Sequence, residues 1–197
     1  MKSNHDNPFA ELILAVRGCR LCEASLPMGP RPVFQIDPRA RILIAGQAPG
    51  RRVHETGVPF DDPSGERLRD WLGVSRDVFY DAAQIAILPM GFCYPGTGRS
   101  GDLPPRPECE QAWRTQLMGC LDDVQLTIVI GQYAQKSHLP SVKRNLTETV
   151  QAWRDYGSGV IPLPHPSPRN NIWIKKNPWF VETLLPALRQ SVHDALA

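Results

Sequence analysis

Four of the five cysteines occur at spacings that suit metal binding. Cys19 and Cys22 enclose two residues in the segment CRLC, and Cys93 and Cys109 enclose fifteen. A C-x2-C pair directs both thiolates at one metal ion or cluster. Four thiolates suit a [4Fe-4S] cluster or a zinc ion, and ordinary buried or surface thiols are the alternative. Cys120 lies at the apolar end of a predicted helix, where we expect it to be a core residue.

A second candidate is His165, which opens the segment HPSPRNN directly after the apolar run GVIPLP. An imidazole is able to donate a hydrogen bond or exchange a proton near neutral pH. A single histidine at the end of a strand often has only a structural role. The prolines, arginine and asparagines that follow His165 favour a functional role.

Two further segments combine residue types that suit a ligand. Gly46 and Gly50 bound the segment GQAPG, which is typical of a tight turn that brings backbone N–H groups close to a ligand. It matches neither a dinucleotide-binding nor a P-loop pattern, and a plain strand-to-helix turn is the alternative. The segment TGVPF ends in Phe60, whose ring is either a core anchor or a stacking surface for a planar ligand.

The elements that must position these residues alternate along the chain. Apolar runs predict four strands, at 41–46, 84–89, 126–131 and 159–164. Helices are predicted at about 8–18, 64–73, 107–120, 131–138, 145–154 and 178–195, with Pro186 kinking or splitting the last. This order predicts an α/β fold, a three-layer sandwich with a central four-stranded parallel sheet, in a single domain over residues 1–197. We expect the loops that follow all four strands, including GQYAQ after the third, to converge at the carboxyl edge of the sheet.

Composition narrows the classes of function. The 197 residues suffice for one domain with a sizeable core. Lys and Arg number 22 against 20 Asp and Glu, so any basic surface must be local. No apolar run is long enough for a membrane span, and the N-terminus lacks the pattern of a signal peptide. We therefore expect a soluble, cytoplasmic protein whose thiols stay reduced.

Taken together, these motifs resemble the uracil-DNA glycosylase superfamily. GQAPG, TGVPF, Cys93 followed by Pro95, and HPSP occur in this order at the ends of alternating strands, and the resemblance extends from Cys19 to about Asn171. The cysteine arrangement is similar to the iron-sulfur (family 4) branch, in which four cysteines hold a [4Fe-4S] cluster. TGVPF and HPSPRN look more like the single-strand-selective monofunctional branch, which has no cluster.

The resemblance implies a monofunctional glycosylase of base excision repair, which would hydrolyse the N-glycosidic bond of uracil or another deaminated base in DNA. Phe60 would stack on the flipped base, and His165 would stabilise negative charge on the departing base. Backbone N–H groups of the turn at Gln47 would be a second set of donors. The implied base-binding set is Gln47, Ala48, Phe60 and His165, and the implied DNA contacts are Pro49, Gly50, Ser167 and Arg169. Arg169 would wedge into the duplex.

The first departure from the family pattern concerns water activation. Ala48 stands where several branches have Asp or Asn, and Gln47 stands where the iron-sulfur branch often has Glu. No side chain of this motif is therefore a strong general base. We consider His54 and Glu55 as water-activating or gating residues over the mouth of the pocket, with a solvated loop as the alternative. Asp61 and Asp62 are nearby candidates of the same kind.

The second departure concerns recognition of the base. Pro89 and Met90 occupy the end of the second strand, where the superfamily normally has an Asn that reads the uracil edge. The base removed is therefore open, with uracil the leading candidate.

Two other functions remain on the sequence alone. One is an iron-sulfur nucleic-acid-binding homologue whose glycosylase activity is altered or lost. The other is an unrelated enzyme whose Gly-Pro loop cradles a phosphate, although the chain contains no Walker-type motif. We expect a monomer that acts on DNA containing uracil or other deaminated bases and does not bind membranes.

Overall fold

A parallel sheet of four strands forms the centre of the molecule. The computed structural model describes residues 7–99 and 101–197. The sheet consists of β1 Ile42–Ala45, β2 Ile85–Ile87, β5 Leu126–Ile130 and β6 Val160–Leu163, in the spatial order β2-β1-β5-β6. A two-stranded antiparallel ribbon, β3 Thr97–Gly98 and β4 Gly101–Asp102, lies outside it. The four predicted strands and the α/β class are confirmed.

Both faces of the sheet are covered, as the apolar strand sequences require. In β1, Ile42 and Ile44 belong to one core cluster and Leu43 belongs to another, and all three side chains are fully buried. Side chains alternate between the two faces of a strand, so these clusters lie on opposite sides of the sheet. Pro162 lies within β6, where the lack of an N–H is tolerated because β6 is an edge strand.

Helices form the outer layers. They are α1 Pro8–Arg17, α2 Arg51–Thr56, α3 Pro63–Leu72, α4 Arg76–Tyr80, α5 Thr115–Met118, α6 Gly131–His138, α7 Leu146–Gln151, α8 Asn171–Lys176 and α9 Leu185–Leu196. The sequence did not predict α2, α4 and α8, which are too short to show a helical period. A π-helical turn at Phe180–Leu184 leads into α9, so the break expected at Pro186 is a junction in the first turn of α9. Among the described residues no helix is long and apolar enough to cross a membrane.

The start of α3 fixes the backbone of Phe60. Phe60 has a φ of 53°, which is strained for a residue with a side chain. Asp62 caps α3 by accepting a hydrogen bond from the Gly65 N–H at 2.9 Å, and a Cβ at Gly65 would lie only 1.8 Å from the Phe60 carbonyl oxygen. The Tyr80 hydroxyl donates to the Pro59 carbonyl at 3.0 Å. The loop is therefore held from two sides.

We expect Gly65→Ala to destabilise the protein by about 3 kcal/mol, because α3 and the Phe60 backbone must move apart to admit the methyl group. Urea unfolding followed by tryptophan fluorescence measures this loss. Gly159→Ala is the matched control, since a Cβ there lies at an ordinary 3.7 Å from the nearest atom, the Gln125 carbonyl oxygen. Equal free energies of unfolding for the two variants would contradict the proposed close packing.

Candidate active site

A cleft of about 530 Å³ opens at the carboxyl edge of the sheet. This volume suits a small organic ligand. Its walls come from the turn after β1, the loop that contains Phe60, the end of β2, the β3-β4 ribbon and the loop after β6. Eight of the ten residues that the sequence proposed for base binding, DNA contact or gating line this cleft, namely Gln47, Ala48, Pro49, Gly50, Phe60, His165, Ser167 and Arg169.

The other two proposed residues, His54 and Glu55, do not line the cleft, so the expectation that they lie over its mouth is wrong. Both lie on α2, but His54 turns inward, with 6% of its surface exposed and its ring 6.2 Å from that of Tyr94. Glu55 is exposed and pairs with Arg51 one turn earlier, at 2.9 Å. Arg51, Arg52 and Val53 are the α2 residues that line the cleft instead.

The segment GQYAQ also lies outside the lining of the cleft, contrary to expectation. The chain passes from β5 directly into α6, with Gly131 at a φ of 78° as the first residue of the helix. The chain between β5 and α6 therefore has no loop that reaches the cleft. β5 supports the site as a strand of the sheet, and the segment that follows it does not line the site.

Hydrogen bonds from neighbouring side chains fix the loop after β6. The Asn170 amide donates to the His165 carbonyl at 2.7 Å, and the Arg67 guanidinium donates to the Ser167 carbonyl at 3.0 Å. The Ser167 hydroxyl accepts the Arg169 N–H at 3.3 Å and so caps a short 3-10 turn. These hydrogen bonds are made by main-chain groups of the loop. The His165 ring lines the cleft, and the Arg169 side chain is exposed at its rim.

The electrostatic environment keeps His165 neutral at pH 7. Its ring is reached by solvent from within the cleft, yet the surrounding protein disfavours the charged form and lowers its pKa. The carboxylates of Asp62 and Asp102 act in the opposite direction without reversing the shift. A neutral imidazole has one N–H to donate, which suits a group that stabilises negative charge on a ligand.

The turn after β1 is tied to its neighbours through its carbonyl groups and one side chain. The Gly46 carbonyl accepts the Met90 N–H at 2.8 Å, and the Gln47 carbonyl accepts the Gly91 N–H at 2.9 Å. The Gln47 side chain donates to the Leu103 carbonyl at 2.9 Å, just after the β3-β4 ribbon. Gln47 therefore anchors the ribbon with its side chain and faces the cleft with its main chain.

Of the two nearby candidates, Asp62 lines the cleft and Asp61 does not, and sequence reasoning missed Ser64 and Asp102, which also line it. Asp62 is the cap of α3, and Ser64 lies in its first turn. The segment DDPSG carries a recognisable helix-start signal that predicted this position, with Asp62 before Pro63. No sequence pattern around Asp102 predicts that it lines the cleft, because its position depends on how the β3-β4 ribbon folds over the cleft.

A buried pair supports the end of β2 beneath the cleft. Arg114 is 4% exposed and donates to the carbonyls of Leu88 at 2.6 Å and Pro89 at 2.9 Å, while its other nitrogen lies 2.6 Å from His138 Nε2. Burial and the Arg114 charge lower the pKa of His138 to about 4. His138 is thus a neutral acceptor for Arg114, and Pro89 is held at the cleft wall.

The four spaced cysteines lie in one region of the molecule. Cys22 packs against Cys93, and the Trp113 indole N–H donates to Cys19 Sγ at 3.1 Å. The Phe92 N–H donates to Cys109 Sγ at 3.4 Å. Burial raises the pKa of Cys93 to about 12 and that of Cys109 to about 11. Within residues 7–99 and 101–197, no group of three or more His, Cys, Asp or Glu side chains is close enough to hold a metal ion.

A doubly covered parallel sheet with an aromatic and a histidine in one cleft at its carboxyl edge defines an α/β protein with a candidate ligand site at that edge. The family model described as the uracil DNA glycosylase superfamily matches residues 33–189. The chain belongs to this superfamily. Membership indicates a DNA glycosylase in general terms, the class of enzyme that removes bases in base excision repair.

Acid should destabilise the protein through His138. Because its pKa is about 4 when folded against an ordinary 6.5, the unfolded chain binds more protons between these values, and the folded state loses up to about 3 kcal/mol as the pH falls through this range. His138→Gln keeps an acceptor for Arg114 but does not titrate. We expect the unfolding free energy of this variant to fall less between about pH 6.5 and about pH 4 than that of the wild type. Identical pH slopes would show that His138 is not the group responsible.

Proposed function

We propose that this protein is a monofunctional DNA glycosylase that hydrolyses the N-glycosidic bond of uracil or another deaminated base. The observation that carries the proposal is that Phe60 and His165 line one cleft, of about 530 Å³, that is large enough to admit a nucleobase, with Arg169 at its rim. A glycosidic bond inside a duplex is out of reach, so the target nucleotide must leave the base stack. Arg169 would fill the gap while the base stacks on Phe60.

His165 would act on the leaving group. As the bond from C1′ to the base nitrogen breaks, positive charge builds on the sugar and negative charge on a base oxygen. A neutral His165 N–H placed at that oxygen stabilises the charge as an oxyanion hole does. Main-chain N–H groups at Gln47 and Ala48 are the second set of donors in this proposal, since the Gln47 side chain is engaged with Leu103.

The proposed DNA contacts at Pro49, Gly50 and Ser167 would be short and uncharged, beside Arg51, Arg52 and Arg169, which also line the cleft. Pro49 and Gly50 lie on one side of the cleft and Ser167 on another, so together they bracket a sugar-phosphate chain that enters it. Such contacts agree with a net charge of only +2. We also propose that the protein acts as a monomer.

The end of β2 and Ser64 bear on which base the protein selects. Pro89 lines the cleft, and its carbonyl is engaged by Arg114, so this end of β2 offers no amide to read a base edge. Ser64 is 7% exposed and lines the cleft, and its hydroxyl is able both to donate and to accept a hydrogen bond. This permissive chemistry supports several deaminated bases as substrates, with uracil the first to test.

The four-cysteine region is proposed to hold a [4Fe-4S] cluster, with zinc as the alternative. Three of the four side chains are buried, and two of the four sulfurs already accept N–H hydrogen bonds, from Trp113 and Phe92, as cluster ligands commonly do. Cys19 and Cys22 would be linked through the cluster to Cys93 and Cys109. When bound, the cluster would supply a cross-link between the N-terminal segment and the loops after β2, away from the proposed chemistry.

The first test measures base release from matched oligonucleotides that contain uracil, hypoxanthine, xanthine or mismatched thymine, single-stranded and double-stranded. We expect release from at least one of them, and a fall of about 10²- to 10³-fold in single-turnover rate for His165→Ala. His193→Gln is the control, because His193 is exposed on α9, far from the cleft in sequence.

Tight DNA binding without release of any base would instead support the nucleic-acid-binding homologue with lost activity. Turnover of free nucleotides without action on DNA would support the unrelated enzyme class.

The second test concerns the cysteines. Anaerobically purified protein should be brown and contain about four irons per chain. Cys22→Ser should lower the iron content and the melting temperature, whereas Cys120→Ser should change neither, since the Cys120 thiol donates to the Gln116 carbonyl within its own helical segment. A colourless wild type with one zinc per chain would overturn the cluster.

A further inference from the structure

Hydrolysis of a glycosidic bond needs a water molecule and a group that takes its proton. Two carboxylates line the cleft, those of Asp62 and Asp102. Asp62 already accepts the Gly65 N–H at 2.9 Å as the cap of α3. Across residues 7–99 and 101–197, the Asp102 carboxylate has no hydrogen bond or ion pair to the protein. Asp102 is therefore the carboxylate of the cleft that is free to act on a ligand or on water.

The β3-β4 ribbon sets the position of this carboxylate. Asp102 pairs with Thr97 across the ribbon, and the next residue, Leu103, donates its N–H to the Gly96 carbonyl at 2.8 Å. The Gln47 side chain bonds the Leu103 carbonyl from the other side. An oxygen of Asp102 consequently lies 3.5 Å from the place where a Cβ on Gly50 would stand, so the carboxylate lies directly beside the turn after β1.

The charges that act on Asp102 come from two elements. His165 and Arg169, in the loop after β6, favour its ionised form, while Asp62 at the start of α3 disfavours it. The surrounding protein has the largest effect and raises the pKa of Asp102 above its ordinary value. A carboxylate of raised pKa is a stronger base toward water.

We propose that Asp102 is the general base of the reaction, an inference that rests on the proposed glycosylase function. The bond from C1′ to the base nitrogen breaks and its electron pair leaves with the base, whose charge His165 stabilises. Water forms the new bond from oxygen to C1′, and Asp102 accepts the proton that this water loses. The proton then passes through solvent to the departed base, so the products are the free base and an abasic sugar.

The test compares single-turnover rates of base release for the wild type, Asp102→Asn and Asp123→Asn. Asp123 is exposed in the loop before β5, at the opposite edge of the sheet from the cleft, so its variant removes the same charge without touching the site. We expect Asp102→Asn to lose about 10²- to 10⁴-fold in rate at neutral pH, with DNA affinity and melting temperature unchanged, and Asp123→Asn to match the wild type.

A pH profile separates a base from a merely structural residue. The wild-type rate should fall as acid protonates Asp102, and the Asp102→Asn rate should lack this component. Titration of His165 is common to both proteins and cancels in their ratio, so the ratio should shrink from about pH 8 to about pH 4.5. A ratio that is constant with pH, or an Asp102→Asn rate within about threefold of the wild type, overturns the role of Asp102 and leaves the glycosylase function standing. A wild type that releases no base from any substrate overturns both.

Discussion

Four parallel strands, buried on both faces, determine how the rest of this molecule is arranged. Their side chains leave no exposed face on the sheet, so a ligand must approach at the edge where the strands end. The turn after β1, the end of β2 and the loop after β6 meet at this edge and form most of the cleft. The sheet thus places His165 at this edge, while the β3-β4 ribbon and α3 bring Asp102 and Phe60 to it.

Around that edge, close packing and hydrogen bonds fix the loops that carry Phe60 and His165. Gly65 brings α3 against the Phe60 carbonyl, and Phe60 keeps a strained φ of 53° as a result. Asn170 and Arg67 hold the loop of His165 in a comparable way. The aromatic ring and the imidazole are thus set before any ligand binds, which lowers the entropy lost when a flipped base enters the cleft.

Charges of both signs line the cleft. The carboxylates of Asp62, which caps α3, and Asp102 line it together with His165, whose pKa the surrounding protein lowers. Arg169 lies at the rim, and Arg51 and Arg52 of α2 also line the cleft. Selectivity for the reaction would then come from the positions of individual hydrogen-bond donors and acceptors. This agrees with the low net charge of the chain.

The sequence by itself determined the four strands, the α/β class, the family and eight of the cleft residues, because apolar runs and short motifs at strand ends are local signals. It misjudged His54 and Glu55, since α2 is too short for its facing to be read from a period. Only the tertiary structure decided that Asp102 faces His165 and that Arg114 supports Pro89. These contacts join residues that are far apart in the sequence, and no local sequence pattern predicts which distant segments come into contact.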